Sequence, residues 1–179
     1  MTSGTFVRCR GAGFALNKEA YFAVGVNCYF LGFCSSATRR SVLESAKEIG
    51  CKTLRAWAFL DVESRSVEDA PVFQYCQNGT ILQENGSIGL ERMDLLIAQA
   101  EELDLRLILP FVNYWPDFGG MPLYLQWLGL PRDVANFYTD CNARNAYKRW
   151  VEPPDRAKKY NYRSFLLRRT FHLRLGISK

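Results

Sequence analysis

The stretch Leu105-Arg106-Leu107-Ile108-Leu109-Pro110-Phe111-Val112-Asn113-Tyr114-Trp115-Pro116-Asp117-Phe118-Gly119-Gly120 decides the fold class. Residues 105–112 are apolar on both alternating faces except for Arg106, and they stop at a run of amide, aromatic, proline and glycine residues. A strand with two apolar faces is covered on both sides, the setting of a parallel sheet flanked by helices. Upstream, Leu90, Met93, Leu96, Ile97, Ala100 and Leu103 recur at the spacing of one helix face. Residues 53–59 read as a second strand, and residues 38–49 as a helix with Val42, Leu43, Ala46 and Ile49 on one side. Ser41 and Glu44 fit a capping box, and Gly50 stands where a C-terminal capping glycine belongs. The dense apolar run 21–26 predicts a strand buried on both faces. Before it, residues 6–8 and 14–16 flank glycines and read as a small hairpin, with Asn17-Lys18 turning the chain towards Tyr21. Residues 61–87 and 113–138 read as loops, and Ala143, Ala146, Tyr147, Trp150 and Val151 mark a third helix. The order β-α-β-α-β-α, with helices long enough to cross over, predicts an α/β fold with a parallel sheet.

Composition narrows the function classes. Of the 179 residues, 48% are apolar and 23% charged, ordinary values for one folded domain. The formal charge of +5 is misleading, because residues 151–179 carry eight Lys/Arg against two acids and the remainder is nearly neutral. A nucleic-acid partner is therefore not expected. The single histidine, His172, lies in that same tail, so the body offers no Ser/His/Asp triad, Cys/His dyad or histidine-based zinc site. Six cysteines show no C-x-x-C pair, and Cys28 and Cys51 sit in apolar text suited to buried thiols. No metal or cofactor is expected. The longest apolar stretch, 20–34, is too short to span a bilayer, and no export signal follows Met1.

Parallel sheets bind ligands at the C-terminal ends of their strands. Those ends carry Asn27, Tyr29 and Phe30, then Arg55, Trp57 and Phe59, then Asn113, Tyr114 and Trp115. Flat rings beside amides and an arginine suit a neutral polyhydroxylated ligand, whose C–H face stacks on rings while its hydroxyls pair with polar groups. Trp57 and Phe59 fit a plain core as readily as a site. Trp115, in a polar loop before Pro116, favours a site. Arg55 in an apolar strand calls for a carboxylate partner if buried. Asp61, Glu63 and Asp117 read as loop-surface charges. Asn78-Gly79-Thr80 and Asn85-Gly86-Ser87 have the form of glycosylation sequons.

These residues resemble the endo-β-1,4-mannanases of glycoside hydrolase family 5. The resemblance runs in order over about residues 5–151, through Val24-Gly25-Val26-Asn27-Cys28-Tyr29, Thr53-Leu54-Arg55-Ala56-Trp57-Ala58-Phe59, Gly89-Leu90-Glu91-Arg92-Met93-Asp94, the stretch 107–121 and Phe137-Tyr138-Thr139-Asp140. It implies the first part of a (β/α)8 TIM barrel over residues 1–152, an incomplete barrel of an N-terminal hairpin plus about three βα units. Arg55 would match the arginine that supports the nucleophilic carboxylate. Asn27, Tyr29, Trp57, Asn113 and Trp115 would line a substrate-binding cleft for mannan-type polysaccharide. Phe30 and Tyr114 depart from the tryptophan and asparagine common at those positions. The resemblance also implies an extracellular, monomeric enzyme that retains anomeric configuration with two glutamates, one of them in an Asn-Glu-Pro motif. The sequence contains no such motif. Neither catalytic carboxylate has a counterpart, so no hydrolysis by these residues alone is expected. From Pro153 the resemblance stops, and residues 153–179 read as a basic tail or as text from a shifted reading frame. A non-catalytic carbohydrate-binding protein and an unrelated open α/β sheet are the competing readings.

Overall fold

The computed structural model describes residues 6–65 and 69–151. The basic tail and His172 lie outside the described residues.

Residues 22–151 form one compact unit. Its central sheet is parallel, with β4 (Gly25–Asn27), β5 (Thr53–Arg55) and β9 (Arg106–Ile108) side by side in chain order. The register places Val26, Leu54 and Leu107 in one row and Asn27, Arg55 and Ile108 in the next. A sheet that adds each new strand on the same side has no point where the order reverses, unlike a doubly wound sheet. It is the arrangement of a barrel wall. The backbone ladder runs past the formal strand ends: Cys28 N–H donates to Arg55 (2.9 Å), Ala56 to Ile108 (3.1 Å) and Ala58 to Pro110 (3.0 Å).

The helices α1 (Ser36–Glu48) and α2 (Leu90–Glu102) cover one face of this sheet. Leu43 and Ala46 of α1, and Met93, Leu96 and Ala100 of α2, close with Leu54 and Leu107 into a single buried cluster that also takes in Trp150. That Trp belongs to α5 (Cys141–Val151), and its indole N–H donates to the Phe111 carbonyl (3.1 Å). Neighbouring helices touch through Arg40–Glu102 (2.6 Å) and Gln99–Ser36 (3.3 Å). The opposite face of the sheet carries Asn27, Arg55 and Ile108, and Ile108 is 49% exposed. Among the described residues this unit is an incomplete (β/α)8 barrel: three wall strands with their outer helices, and an inner face exposed at Asn27, Arg55 and Ile108.

Several details correct the sequence reading. Helix α1 starts nearly two turns earlier than the proposed capping box, with Ser35 as N-cap accepting from Thr38 N–H (3.1 Å), so Ser41 and Glu44 lie inside the helix. The C-terminal expectation is met, because Gly50 (φ 84°) donates to Lys47 (3.0 Å) and Cys51 to Ala46 (2.9 Å), a Schellman stop. The run 21–26 is not one strand. Tyr21 ends an antiparallel strand, the parallel strand begins at Gly25, and Phe22 and Val24 between them are exposed.

The supposed loop 61–87 contains a second small sheet, β6 (Asp61–Val62), β7 (Gln74–Gln77) and β8 (Thr80–Gln83), with β7 and β8 joined by an Asn78-Gly79 turn at positive φ. The supposed loop 113–138 contains α3 (Gly120–Trp127) and α4 (Ala135–Thr139). The N-terminal residues, a separate unit, form a three-stranded meander rather than one hairpin: β1 (Arg8–Arg10), β2 (Gly13–Leu16) and β3 (Glu19–Tyr21).

Candidate active-site cleft

The expected cleft residues lie at the C-terminal ends of the parallel strands. Asn27 ends β4 and Arg55 ends β5, and the register sets them opposite each other. Arg55 Nη1 donates to Asn27 Oδ1 at 3.1 Å. Arg55 is exposed, and its partner is this amide rather than a carboxylate. Solvent on the inner face removes the need for a buried counter-charge.

Tyr29 opens a 3-10 turn, Tyr29–Gly32, whose outgoing carbonyls are gathered by two arginines. Arg39, 1% exposed, donates to Leu31 O (2.8 Å), while Arg92 donates to Gly32, Phe33 and Cys34 (2.7–3.1 Å). That clamp fixes the turn from which the Tyr29 ring projects. The ring lies 4.8 Å from Trp57 at a tilt of 45°. Trp57 stacks on Phe59 (4.8 Å, 21°), and Trp57 N–H donates to the Tyr29 carbonyl (3.1 Å). Phe59 is buried, so of that alternating pair Phe59 is core and the half-buried Trp57 reaches the surface. The Trp57 indole N–H has no acceptor among the described residues.

The loop after β9 closes on itself. Met121 N–H donates to the Asn113 carbonyl (2.7 Å), and the Asn113 amide donates to Asp117 O (3.3 Å). Asn113 therefore holds the loop in shape. Trp115 is 64% exposed, and its ring contact among the described residues is edge-on with Tyr114 (5.4 Å). Thus the structure pairs Asn27 with Arg55 and Tyr29 with Trp57, and it puts Asn113 and Trp115 together on the loop.

What ties the loop to the rings is a residue that sequence reasoning passed over. Phe118, at positive φ (59°), contacts Trp57 (5.1 Å), Tyr29 (5.8 Å) and Phe33 (5.9 Å). A left-handed conformation at a bulky residue is uncommon and costs energy that the ring contacts offset.

A second correction concerns Asp61. It is buried, not a surface charge: Gln74 donates both of its amide hydrogens, one to Asp61 Oδ1 (3.2 Å) and one to the Tyr124 hydroxyl (2.6 Å). Burial pushes the Asp61 carboxyl up to about 8, and burial with nearby Asp61 holds the Tyr124 hydroxyl above its ordinary range. Asp61 N–H donates to Phe118 O (3.0 Å), so this network sits directly under the loop that carries Trp115. Glu63 and Asp117 are exposed, as expected. None of the six cysteines is paired, and Cys51 is buried.

No family model matches the chain. It is 33% identical over 150 residues to the probable mannan endo-1,4-beta-mannosidase A-1 of Aspergillus terreus, a match covering 83% of this chain and 38% of that protein. Among solved structures, the endo-1,4-beta-mannanase from Rhizomucor miehei superposes with a TM-score of 0.75 at 28% identity, covering 82% of this chain and 40% of that one. The hyperthermostable endo-1,4-beta-D-mannanase from Thermotoga petrophila gives a TM-score of 0.57 at 36% identity, covering 73% and 37%. The chain thus spans about two fifths of the length of the relatives it matches. In sequence and in backbone the chain is a homologue of part of the endo-β-1,4-mannanases of glycoside hydrolase family 5.

Proposed function

We propose that this chain forms the mannan-binding side of an endo-β-1,4-mannanase cleft and lacks the groups that break the glycosidic bond. The observation that carries the reading is the joined set Asn27–Arg55 and Tyr29–Trp57–Phe118 at one end of three parallel strands. A sugar ring would lie with its C–H face on Trp57 or Trp115 and its hydroxyls on Asn27 and Arg55. Stacking of this kind needs no charge and works on an exposed surface.

Retaining hydrolysis is a different requirement. It takes two carboxyl groups about 5 Å apart on either side of the bond, one as acid/base and one as nucleophile. The relatives carry more than twice as much chain, and the sequence here has no Asn-Glu-Pro. Arg55 is then the residue that would hold a nucleophilic carboxylate, with Asn27 orienting the guanidinium. Residues 1–152 constitute this portion of the enzyme, and residues 153–179 are not part of it. A polymer such as mannan is met outside the cell, which makes an extracellular setting the consistent one.

The test is a pair of measurements on the 179-residue protein: affinity for mannohexaose by calorimetry, and reducing ends released from mannan. The expected result is binding that Trp57→Ala weakens at least tenfold, without release of sugar. Turnover by the wild-type chain would refute the absence of catalysis. No binding at millimolar mannohexaose would refute the cleft. Binding that outlasts Trp57→Ala would favour the non-catalytic carbohydrate-binding reading at another surface.

A further inference from the structure

Two triplets of the glycosylation form, Asn78-Gly79-Thr80 and Asn85-Gly86-Ser87, follow each other closely in the chain, and the fold sets them in opposite surroundings. Asn78 stands at the tip of the β7–β8 hairpin. The register pairs Gln77 with Thr80, so Asn78 and Gly79 alone make the turn, both at positive φ (50° and 73°). Asn78 and Thr80 are exposed, and the Asn78 side chain has no hydrogen-bond partner among the described residues. A Cβ placed on Gly79 would meet nothing within 4 Å, so the space around the turn is open.

Asn85 is half-buried, and its Nδ2 donates to the Gln83 carbonyl (2.9 Å). The residue after it is held as well, because Gly86 N–H donates to Glu84 Oε1 (3.0 Å). A Cβ on nearby Gly89 would lie 2.1 Å from the Glu84 carbonyl oxygen, so this turn is closely packed. A glycan replaces one of the two hydrogens on Nδ2 by a bulky group. At Asn85 that group competes with the Gln83 bond and the packing, whereas at Asn78 it meets solvent. The hairpin also offers the first sugar a surface. Strand alternation puts Tyr75, Gln77, Thr80 and Leu82 on one face. Gln74 is buried and Ile81 packs against the core, so the face with Tyr75 is the outward one. The half-buried Tyr75 ring, three residues before Asn78, suits the C–H side of a sugar.

We propose that Asn78 is an N-glycosylation site of the exported chain, that its first N-acetylglucosamine rests against Tyr75, and that Asn85 stays unmodified. The inference rests on the extracellular setting proposed above, since only an exported chain meets the transferase. The donor is an oligosaccharide joined to a lipid through a diphosphate. The bond between sugar C1 and the phosphate oxygen breaks, and the lipid diphosphate leaves with the electron pair. C1 joins Asn78 Nδ2, and the amide gives up one proton. The host transferase supplies the catalysis; this chain supplies the acceptor.

The experiment exports the 179-residue chain from yeast with a secretion signal ahead of Met1. An endoglycosidase then trims each glycan to one N-acetylglucosamine, and peptide mass spectrometry reads which asparagine carries it. Occupancy at Asn78 should exceed that at Asn85 at least fivefold. Thr80→Ala and Asn78→Gln should abolish it, while Thr80→Ser and Asn85→Gln keep it. Should a variant fail to fold, the wild-type peptides carry the same comparison, and a chain retained in the cell is read from the retained pool. Occupancy absent at Asn78, or higher at Asn85, overturns the site. The trimmed protein should also melt at a higher temperature than unglycosylated Thr80→Ala, with the difference lost when Tyr75→Thr is present in both. Equal midpoints with Tyr75 in place overturn the ring contact. Because the yeast signal forces export, these results report the site alone; finding the natural protein inside its own cells by fractionation would sink the extracellular reading instead.

Discussion

Replacing Asp61 by asparagine should remove a pH dependence of stability that the wild-type protein carries. The carboxyl is pushed up to about 8 by burial in the folded chain, whereas an unfolded aspartate titrates near ~3.9. Below about pH 4 the group is neutral in both states and costs nothing. As pH rises from about 4 to about 8 the unfolded chain releases its proton and the folded chain does not, so unfolding is favoured progressively. Above about 8 the folded chain must hold an ionised carboxylate with Oδ2 unpartnered, and the full penalty is present.

At 1.36 kcal/mol per unit, the loss between pH 5 and pH 8 is about 4 kcal/mol at face value. Relaxation around the charge shrinks such penalties, so about 2–4 kcal/mol is the expected range. That is a large share of the roughly 5–15 kcal/mol that holds a domain together. Asparagine keeps the oxygen that accepts from Gln74 but does not titrate. The assay is urea denaturation of both proteins at pH 5, 6, 7 and 8. The difference between them matters, because Asp94, half-buried and pushed up to about 7 by burial and by Glu91, slopes in the same direction in both. The wild type should lose stability relative to Asp61→Asn across the range. Parallel profiles would refute the burial argument.

Two further substitutions probe the scaffold. Leu54→Ala, at a fully buried position in the middle strand, should cost about 2–5 kcal/mol, read as a lower denaturation midpoint with little change in slope. Gly120→Ala should cost clearly more than Gly129→Ala although both sit near φ 65°, because a Cβ at 120 would lie 2.1 Å from the Trp115 carbonyl oxygen whereas nothing lies within 4 Å at 129; about 1 kcal/mol is expected at 129, and equal losses would show that the loop yields freely.

The parallel strands and the helices over them were legible because their signals are local. Apolar runs and helical spacing at Leu43, Leu54, Leu96 and Leu107 state directly which side is buried. The small sheet β6–β8 was missed for a physical reason: its strands are half-buried and polar, and the Asn78-Gly79 turn that marks the hairpin also fits a glycosylation triplet. Helix α3 was missed because Met121, Tyr124 and Leu125 are buried and the remaining positions, Gln126 apart, are also non-polar, which erases the two-sided pattern, while its opening glycine and proline look like a loop. At the site, the aromatic and amide residues could be read from strand ends, but the burial of Asp61 could not. Its partner Gln74 is 13 residues away, and Tyr124 lies 50 beyond that, so only the folded chain reveals the network.

The separation proposed between binding and chemistry follows from the electrostatics of Arg55. On the uncovered inner face its guanidinium is in water, where attraction to a carboxylate about 4 Å away is worth about 1 kcal/mol. The same pair at the effective dielectric of a protein surface or site reaches about 4 kcal/mol. On the proposed reading Arg55 would gain its grip on a nucleophile only where further chain fills the space facing Asn27, Thr53 and Ile108, a space of about 230 Å³. Ring stacking at Trp57 and Trp115 has no such dependence, since its strength comes from contact area and displaced water rather than from a charge that solvent screens. Covering the inner face should change what Arg55 can do to a glutamate while leaving the grip of the rings on a sugar nearly as it is.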